Sequence, residues 1–418
     1  MSEKSYTRRA ALRLGRAAAA VQAAGLLATP AVLAQGGGDT LKVASVNSMS
    51  GGFARYGQEL ERGLEIAVQQ VNAKGLTIGG RTYRVVTQTY DDKTDASTSA
   101  RLVERAATSD GAQFIIAGCG SVITKAIIPT AQRLRMPLLT HWAQVDGVFA
   151  GQKGNPYLFG AMPPFSHYYT RISEMAAGFD APKVRRVAMI TPNDELGVFT
   201  AREYLPADMR KSGLELVGTE MFPPRSQDFA SALDRLRRLE PDMFVINCYT
   251  PDIIAVFKEM QAIRFFPSMI VVEAPTSLHE SLGDAINGAF VPTFWDPTLD
   301  KTKDAFIGTS RDFANLYSAK HNAPPPDFVA ACGANNLIVM AQAMMAAGKV
   351  GDNRALLSAL RDLNGETFFS RVKFDDDGLN RGGEVYPSQF QGGRPQLVYP
   401  PEVRRASPIH PYSAAQRA

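Results

Sequence analysis

Five histidines and three cysteines carry the readiest chemistry of this chain, and their spacing limits what they can do. His141, His167, His279, His321 and His410 are scattered, without the short pairings of a zinc site. Cys119 and His141 have the residue types of a thiol nucleophile and its base. Cys119 ends an apolar run, however, and reads better as a small buried side chain. Asp91 and Asp92 could work as acid and base, but after a strand they read better as a turn capping the next helix. Asp375-Asp376-Asp377-Gly378 opens like a calcium loop but lacks the later ligands and the closing Glu, so it reads as a β-turn. The sequence holds no phosphate-binding glycine loop, no serine nucleophile elbow, no His-Glu-x-x-His and no Cys-x-x-Cys. No basic run interleaved with aromatics marks a nucleic-acid surface. The pattern points to binding rather than catalysis: not an enzyme, with no cofactor and no metal.

Binding residues must be held in place, and the rest of the chain shows by what. Short apolar runs recur at 41–46, 83–89, 114–117 and 137–140, then at 187–191, 214–220, 243–247 and 269–272. Unbroken runs of this length suit strands covered on both faces, as in a parallel sheet. Between them, Leu60, Leu64, Ala67, Val68 and Val71 form one helical stripe within 57–73. Segments 94–108, 123–134, 199–211, 229–239 and 253–263 behave alike. Strand and helix alternate every 25–30 residues or so, the length of a βα unit. Two successive series predict an α/β protein of two doubly wound, Rossmann-like lobes. Farther on, 285–294 reads as a strand, 302–321 and 328–347 as long helices, and the chain from 367 as hairpins turning at 375–378 and 391–393. These pieces must complete both lobes, so the chain crosses between them more than once. Ligands bind such sheets at the carboxyl ends of strands, near the switch point in strand order, so two facing lobes make a closable cleft.

The first 34 residues differ in kind. Lys4, Arg8, Arg9, Arg13 and Arg16, with Glu3 as the one acid, precede an Ala-rich stretch ending in Val32-Leu33-Ala34. That order predicts a signal peptide over 1–34, and Thr7-Arg8-Arg9-Ala10-Ala11-Leu12 is of the twin-arginine kind apart from Ala11. The leader holds the whole charge excess: removing five of 45 basic and one of 41 acidic residues leaves 40 of each. A neutral remainder points to no nucleic-acid or acidic partner. Three cysteines allow one disulfide at most. The longest later apolar run, 337–347, reads as a buried helix rather than a membrane span. The expectation is a soluble protein exported to the periplasm.

The segment Ser48-Met49-Ser50-Gly51-Gly52-Phe53-Ala54-Arg55-Tyr56-Gly57 resembles the opening motif of the leucine/isoleucine/valine-binding proteins. Val71-Asn72-Ala73-Lys74-Gly75, Asp91-Asp92, Pro137-Leu138-Leu139, Pro223-Pro224 to Asp228-Phe229, and Val372-Lys373-Phe374-Asp375 are similar to that family in the same order. The resemblance runs from about 41 to 399. It implies a type I periplasmic binding fold, with a three-strand hinge, lobe 1 over 39–162 plus 295–364, and lobe 2 over 163–294 plus 365–400. An irregular tail is expected over 401–418. The family implies a monomer that captures a small solute by cleft closure and delivers it to a membrane ABC permease. The alternative is a sensing protein that binds amides or urea-like compounds and feeds a regulator.

The resemblance also implies site residues. The first-helix cleft tyrosine matches Tyr56. The loop that holds a ligand carboxylate matches Gly118-Cys119-Gly120-Ser121-Val122, so Ser121 keeps one hydroxyl and Val122 lacks the other. Amides at the following helix N-terminus can still hold an anion. After the fourth strand stand Trp142, Ala143 and Gln144, with the Trp142 ring in place of a small residue and Gln144 in place of Thr. Leu196 replaces a second-lobe tyrosine, Tyr249 matches a later one, and Glu273 matches the carboxylate that meets a ligand ammonium. The polar groups lost at Val122 and Leu196 argue against leucine itself. They leave aromatic acids, small amides, urea-like compounds or another amino acid.

Overall fold

The computed structural model describes residues 39–415 except 225, 227 and 274–277, so the leader expected over 1–34 lies outside the described residues. The first apolar series forms a six-stranded sheet from β1 (Asp39–Asn47), β2 (Leu76–Ile78), β3 (Arg81–Asp91), β4 (Phe114–Cys119), β5 (Leu138–Trp142) and β6 (Leu158–Phe159). Its order is β2-β3-β1-β4-β5-β6. Every residue of β4 is buried, as a central parallel strand with helices on both faces requires. β1 runs parallel to both β3 and β4. Strand order therefore reverses between β1 and β4, and a crevice opens at their carboxyl ends. Helices α1 (Ala54–Lys74), α2 (Ala96–Thr108), α3 (Ser121–Leu134) and α4 (Asp146–Ala150) link these strands. α1 buries Leu60, Leu64, Ala67 and Val71 of the stripe its spacing predicts, with Val68 half-buried at its edge.

The second series forms β7 (Arg186–Pro192), β8 (Glu215–Phe222), β9 (Met243–Ile246), β10 (Met269–Val272) and β11 (Phe290–Thr293). A separate hairpin, β12 (Asn364–Glu366) with β13 (Arg371–Lys373), precedes β14 (Tyr386–Gln391) and β15 (Arg394–Leu397). The second sheet has the order β15-β14-β11-β10-β9-β7-β8, with its switch point between β7 and β9. Its helices are α5 (Thr170–Ala177), α6 (Glu195–Phe199), α7 (Leu205–Lys211), α8 (Ala230–Arg237), α9 (Thr250–Ala262) and α10 (Leu278–Leu282). The single helix expected over 199–211 is instead interrupted by a π-turn at Thr200–Tyr204, which joins α6 to α7. Such turns occur frequently at functional sites.

Three more helices, α11 (Ser310–His321), α12 (Phe328–Ala347) and α13 (Asn353–Arg361), return to the first sheet. α11 starts later than the expected residue 302. Asp304 holds the amides of Phe306 and Ile307, Gly308 turns at a φ of +101°, and Thr309 and Asp312 form a capping box. α12 is apolar all round and buried along almost its whole length, as a core helix is. It crosses α1 closely: a Cβ on Gly63 would lie 1.7 Å from the Ala330 carbonyl oxygen, and one on Gly333 2.0 Å from that of Leu60. The chain thus passes between the sheets after β6, after β11 and before β14. The end of the chain, including α14 (Tyr412–Ala415), is bound to the second sheet. The Tyr412 amide donates to Ser268 O at 2.7 Å, and Gln389 Nε2 donates to Ile409 O at 2.7 Å. Cys119, Cys248 and Cys332 are buried free thiols. A thiol reagent is expected to label none of them in the native protein and all three after unfolding; a native disulfide would leave one.

Candidate functional site

The loops leaving the two switch points meet. Tyr56 on α1 shares a 2.5 Å hydrogen bond with Thr250 Oγ1, and its hydroxyl accepts the Thr250 amide at 3.0 Å. The Phe53 and Tyr249 rings lie 4.9 Å apart, and Lys125 pairs with Glu195 at 2.8 Å. These contacts tie the segments after β1 and β4 to those after β7 and β9.

Between them lies an inner cavity of about 20 Å³. Ser121, Trp142, Ala143, Gln144, Leu196, Tyr249 and Glu273 border it. Tyr56 stands behind Trp142, their ring centroids 4.4 Å apart. Val122 does not reach the inner cavity; it is 40% exposed and lines a separate outer chamber. Successive helix residues point about 100° apart, so at the start of α3 Ser121 and Val122 face different spaces. Gly120, Val145 and Phe165 complete the inner wall. Phe165 lies in a short 3₁₀ turn between the sheets, where no periodicity marks it.

The first-lobe wall offers backbone amides that could hold an anion. Gly120 turns at a φ of +91°, and a Cβ there would meet the Phe53 ring at 2.8 Å, so only glycine lets Phe53 close over the loop. α3 begins with no side-chain cap, which leaves its first amides and the positive end of the helix at the cavity. The opposite wall carries Glu273, just past β10 and 8% exposed. Among the described residues its Oε2 is buried without a hydrogen-bond partner, as are Gln144 Oε1 and the Tyr168 hydroxyl. Burial, then the charge of Asp194, pushes the Glu273 carboxyl up to about 8. Structural carboxylates are normally satisfied, so an orphaned one at a cavity points to a solute.

The other candidates serve structure. Burial, with Asp92 next, raises the Cys119 thiol well above its ordinary value, the reverse of a nucleophile. His141 bonds Ser45 Oγ at 2.8 Å rather than Cys119, and burial lowers it to about 3. Asp91 accepts the amides of Met49, Ser50 and Lys93, and Asp92 accepts that of Thr94, as turn-building residues do. Asp375 O accepts the Gly378 amide at 2.9 Å, which closes a β-turn.

Residues 40–393 match the family described as periplasmic binding protein. The chain belongs to that family. A Leu/Ile/Val-binding protein homolog of Brucella abortus (strain 2308) is 23% identical over 372 residues, covering 86% of this chain and 91% of its own. The fold is shared with the branched-chain amino acid transporter substrate binding protein of Streptococcus pneumoniae, solved with isoleucine (TM-score 0.71, 21% identity, 89% of this chain and 100% of that one). It is shared too with a solute binding protein of Rhodopseudomonas palustris in complex with 3,4-dihydroxy benzoic acid (TM-score 0.70, 19% identity, 85% and 95%). Periplasmic binding proteins of this leucine-binding, type I group are substrate-binding proteins of ABC transporters and not enzymes.

If the two lobes open and close around a solute, one contact away from the cavity bears on that motion. Phe199, at the π-turn, covers Gly147 of α4 so closely that a Cβ would lie 2.0 Å from the ring. The Gly147 amide donates to the Tyr204 hydroxyl at 3.1 Å. The neighbouring Asp146 accepts from the Ser166 amide and hydroxyl, both at 2.9 Å. Gly147→Ala is therefore expected to disfavour the closed form, weakening solute binding about tenfold or more while each lobe still folds. X-ray scattering should show a larger radius of gyration with solute present than for the natural protein. Unchanged affinity would show that the contact yields freely.

Proposed function

We propose that this periplasmic binding protein captures a small amino-acid-like or aromatic carboxylate solute between its lobes and presents the closed complex to a membrane ABC permease. The observation that carries this reading is the orphaned carboxylate of Glu273 across the cavity from the uncapped start of α3. One wall attracts an anion, and the other a cation or hydrogen-bond donor. A solute bearing both groups satisfies both walls. Isoleucine and 3,4-dihydroxy benzoic acid, found in the two solved relatives, are solutes of these kinds. In this reading Ser121, Trp142, Ala143, Gln144, Leu196, Tyr249 and Glu273 surround the solute, while Tyr56 supports Trp142 and Thr250. Closure is a population shift driven by contacts that only the closed form makes. The leader directs export and is removed, and the mature protein works in the periplasm as a monomer without a cofactor.

A second reading takes a compact amide or urea-like solute. Glu273 stays largely neutral below about pH 8, so it donates as well as accepts, as the N–H and carbonyl groups of an amide require. Thermal-shift screening against α-amino acids, hydroxybenzoates and amides separates the two. Stabilisation by a carboxylate solute is expected. Stabilisation by amides alone selects the second reading, and no stabilisation by any class rejects both.

A further inference from the structure

Tyr249 borders two spaces: the inner cavity of about 20 Å³ and an outer chamber of about 920 Å³ between the same loops. The inner cavity alone cannot enclose an amino acid, whereas the chamber beside it can take most of one. We infer that the outer chamber is the second half of the binding site and receives a solute chain that is apolar along its length and ends in an organic cation. This inference rests on the reading of the inner cavity given above.

The chamber's two sides differ in kind. Phe53, Val122 and Ile123 line it from the first lobe, and Pro192 and Pro251 from the second. Val122, which replaces a hydroxyl with an isopropyl group in the leucine-binding pattern, thereby contributes apolar contact. The second lobe also brings three carboxylates, Asp194, Glu195 and Asp252. Glu195 is taken by Lys125 at 2.8 Å. One oxygen of Asp194 accepts the Gly197 amide at 3.1 Å. No lysine or arginine lines the chamber among the described residues.

Burial, with Asp194 as the neighbouring charge, raises Asp252 to about 6. The same Asp194 acts on Glu273 from the other side. Asp194 is thus the neighbouring charge both of Asp252, with which it lines the chamber, and of Glu273 in the inner cavity. A cation between Asp194 and Asp252 relieves their mutual repulsion, as a neutral chain end cannot. A cation carried at the end of an apolar chain is an organic ammonium or guanidinium.

Lysine and norleucine share an α-amino-acid head and a four-carbon chain and differ in the terminal ammonium. Titration calorimetry is expected to find lysine bound at least about tenfold more tightly than norleucine. In the Asp194→Asn/Asp252→Asn protein that ratio is expected to fall to within about threefold, and a ratio does not move with a general loss of folding or closure. Norleucine binding as well as or better than lysine overturns the inference and leaves the proposed function standing. Binding of neither overturns the inference, and the proposed function falls with it only where the thermal-shift screen also finds no carboxylate that stabilises the protein.

Discussion

At pH 7.5 the Glu273→Gln protein is expected to withstand more urea than the natural protein and yet to bind its solute at least about tenfold more weakly. Both effects come from one carboxyl group. Burial and Asp194 hold it near 8 in the folded state, against about 4.3 for an unfolded glutamate. Folding therefore takes up a proton between those two values. The group's contribution to stability is full below about pH 4.3 and is lost as pH rises through about 8, at about 1.4 kcal/mol per pH unit inside that window. Between pH 5.5 and 7.5 the natural protein should lose roughly 3 kcal/mol through this group, and the glutamine variant should lose none of it. Asp208, raised to about 6 mainly by burial, adds a decline of the same sign at lower pH in both proteins. The binding loss follows because the variant offers no charge to a solute ammonium. Urea titrations at the two pH values, paired with calorimetry, test both halves. Equal pH slopes would mean that Glu273 finds a partner in solution, and unchanged affinity would remove it from the site.

The second large effect is expected at Trp142. Its ring packs on Tyr56 at 4.4 Å, lies 6.4 Å from Phe328, and borders the inner cavity. Trp142→Ala should cost about 3–5 kcal/mol, the usual range for a buried aromatic residue replaced by alanine. The same truncation enlarges the cavity, so affinity should move toward bulkier solutes, with naphthoate gaining on benzoate by about tenfold or more. If the benzoate-to-naphthoate ratio stays fixed while stability falls, Trp142 is core and does not set solute size.

Much of the frame was legible because it follows from burial. Strands such as β4 and β9 are apolar without alternation since helices cover both their faces, and α1 shows its buried stripe in its spacing. Ser121, Tyr249 and Glu273 were assigned by the resemblance to the leucine-binding proteins rather than by periodicity, and each stands just after a parallel strand, on the side where such sheets bind. Contacts between lobes leave no such trace. Thr250 meets Tyr56 across 194 residues of sequence, and Phe165 joins the cavity from a segment without periodicity. The π-turn at Thr200–Tyr204 was hidden because its residues suit an ordinary helix. Val122 lines the outer chamber rather than the inner cavity, because a motif match assigns a position but not the direction of its side chain around a helix.

Crystallisation with the tightest-binding solute of the screen tests the central claim most directly. The solute is expected between the two sheets, its anionic group on the first amides of α3 and its cation or donor on Glu273. A solute seated outside the interlobe cleft, or inside it with Glu273 untouched, would contradict the account.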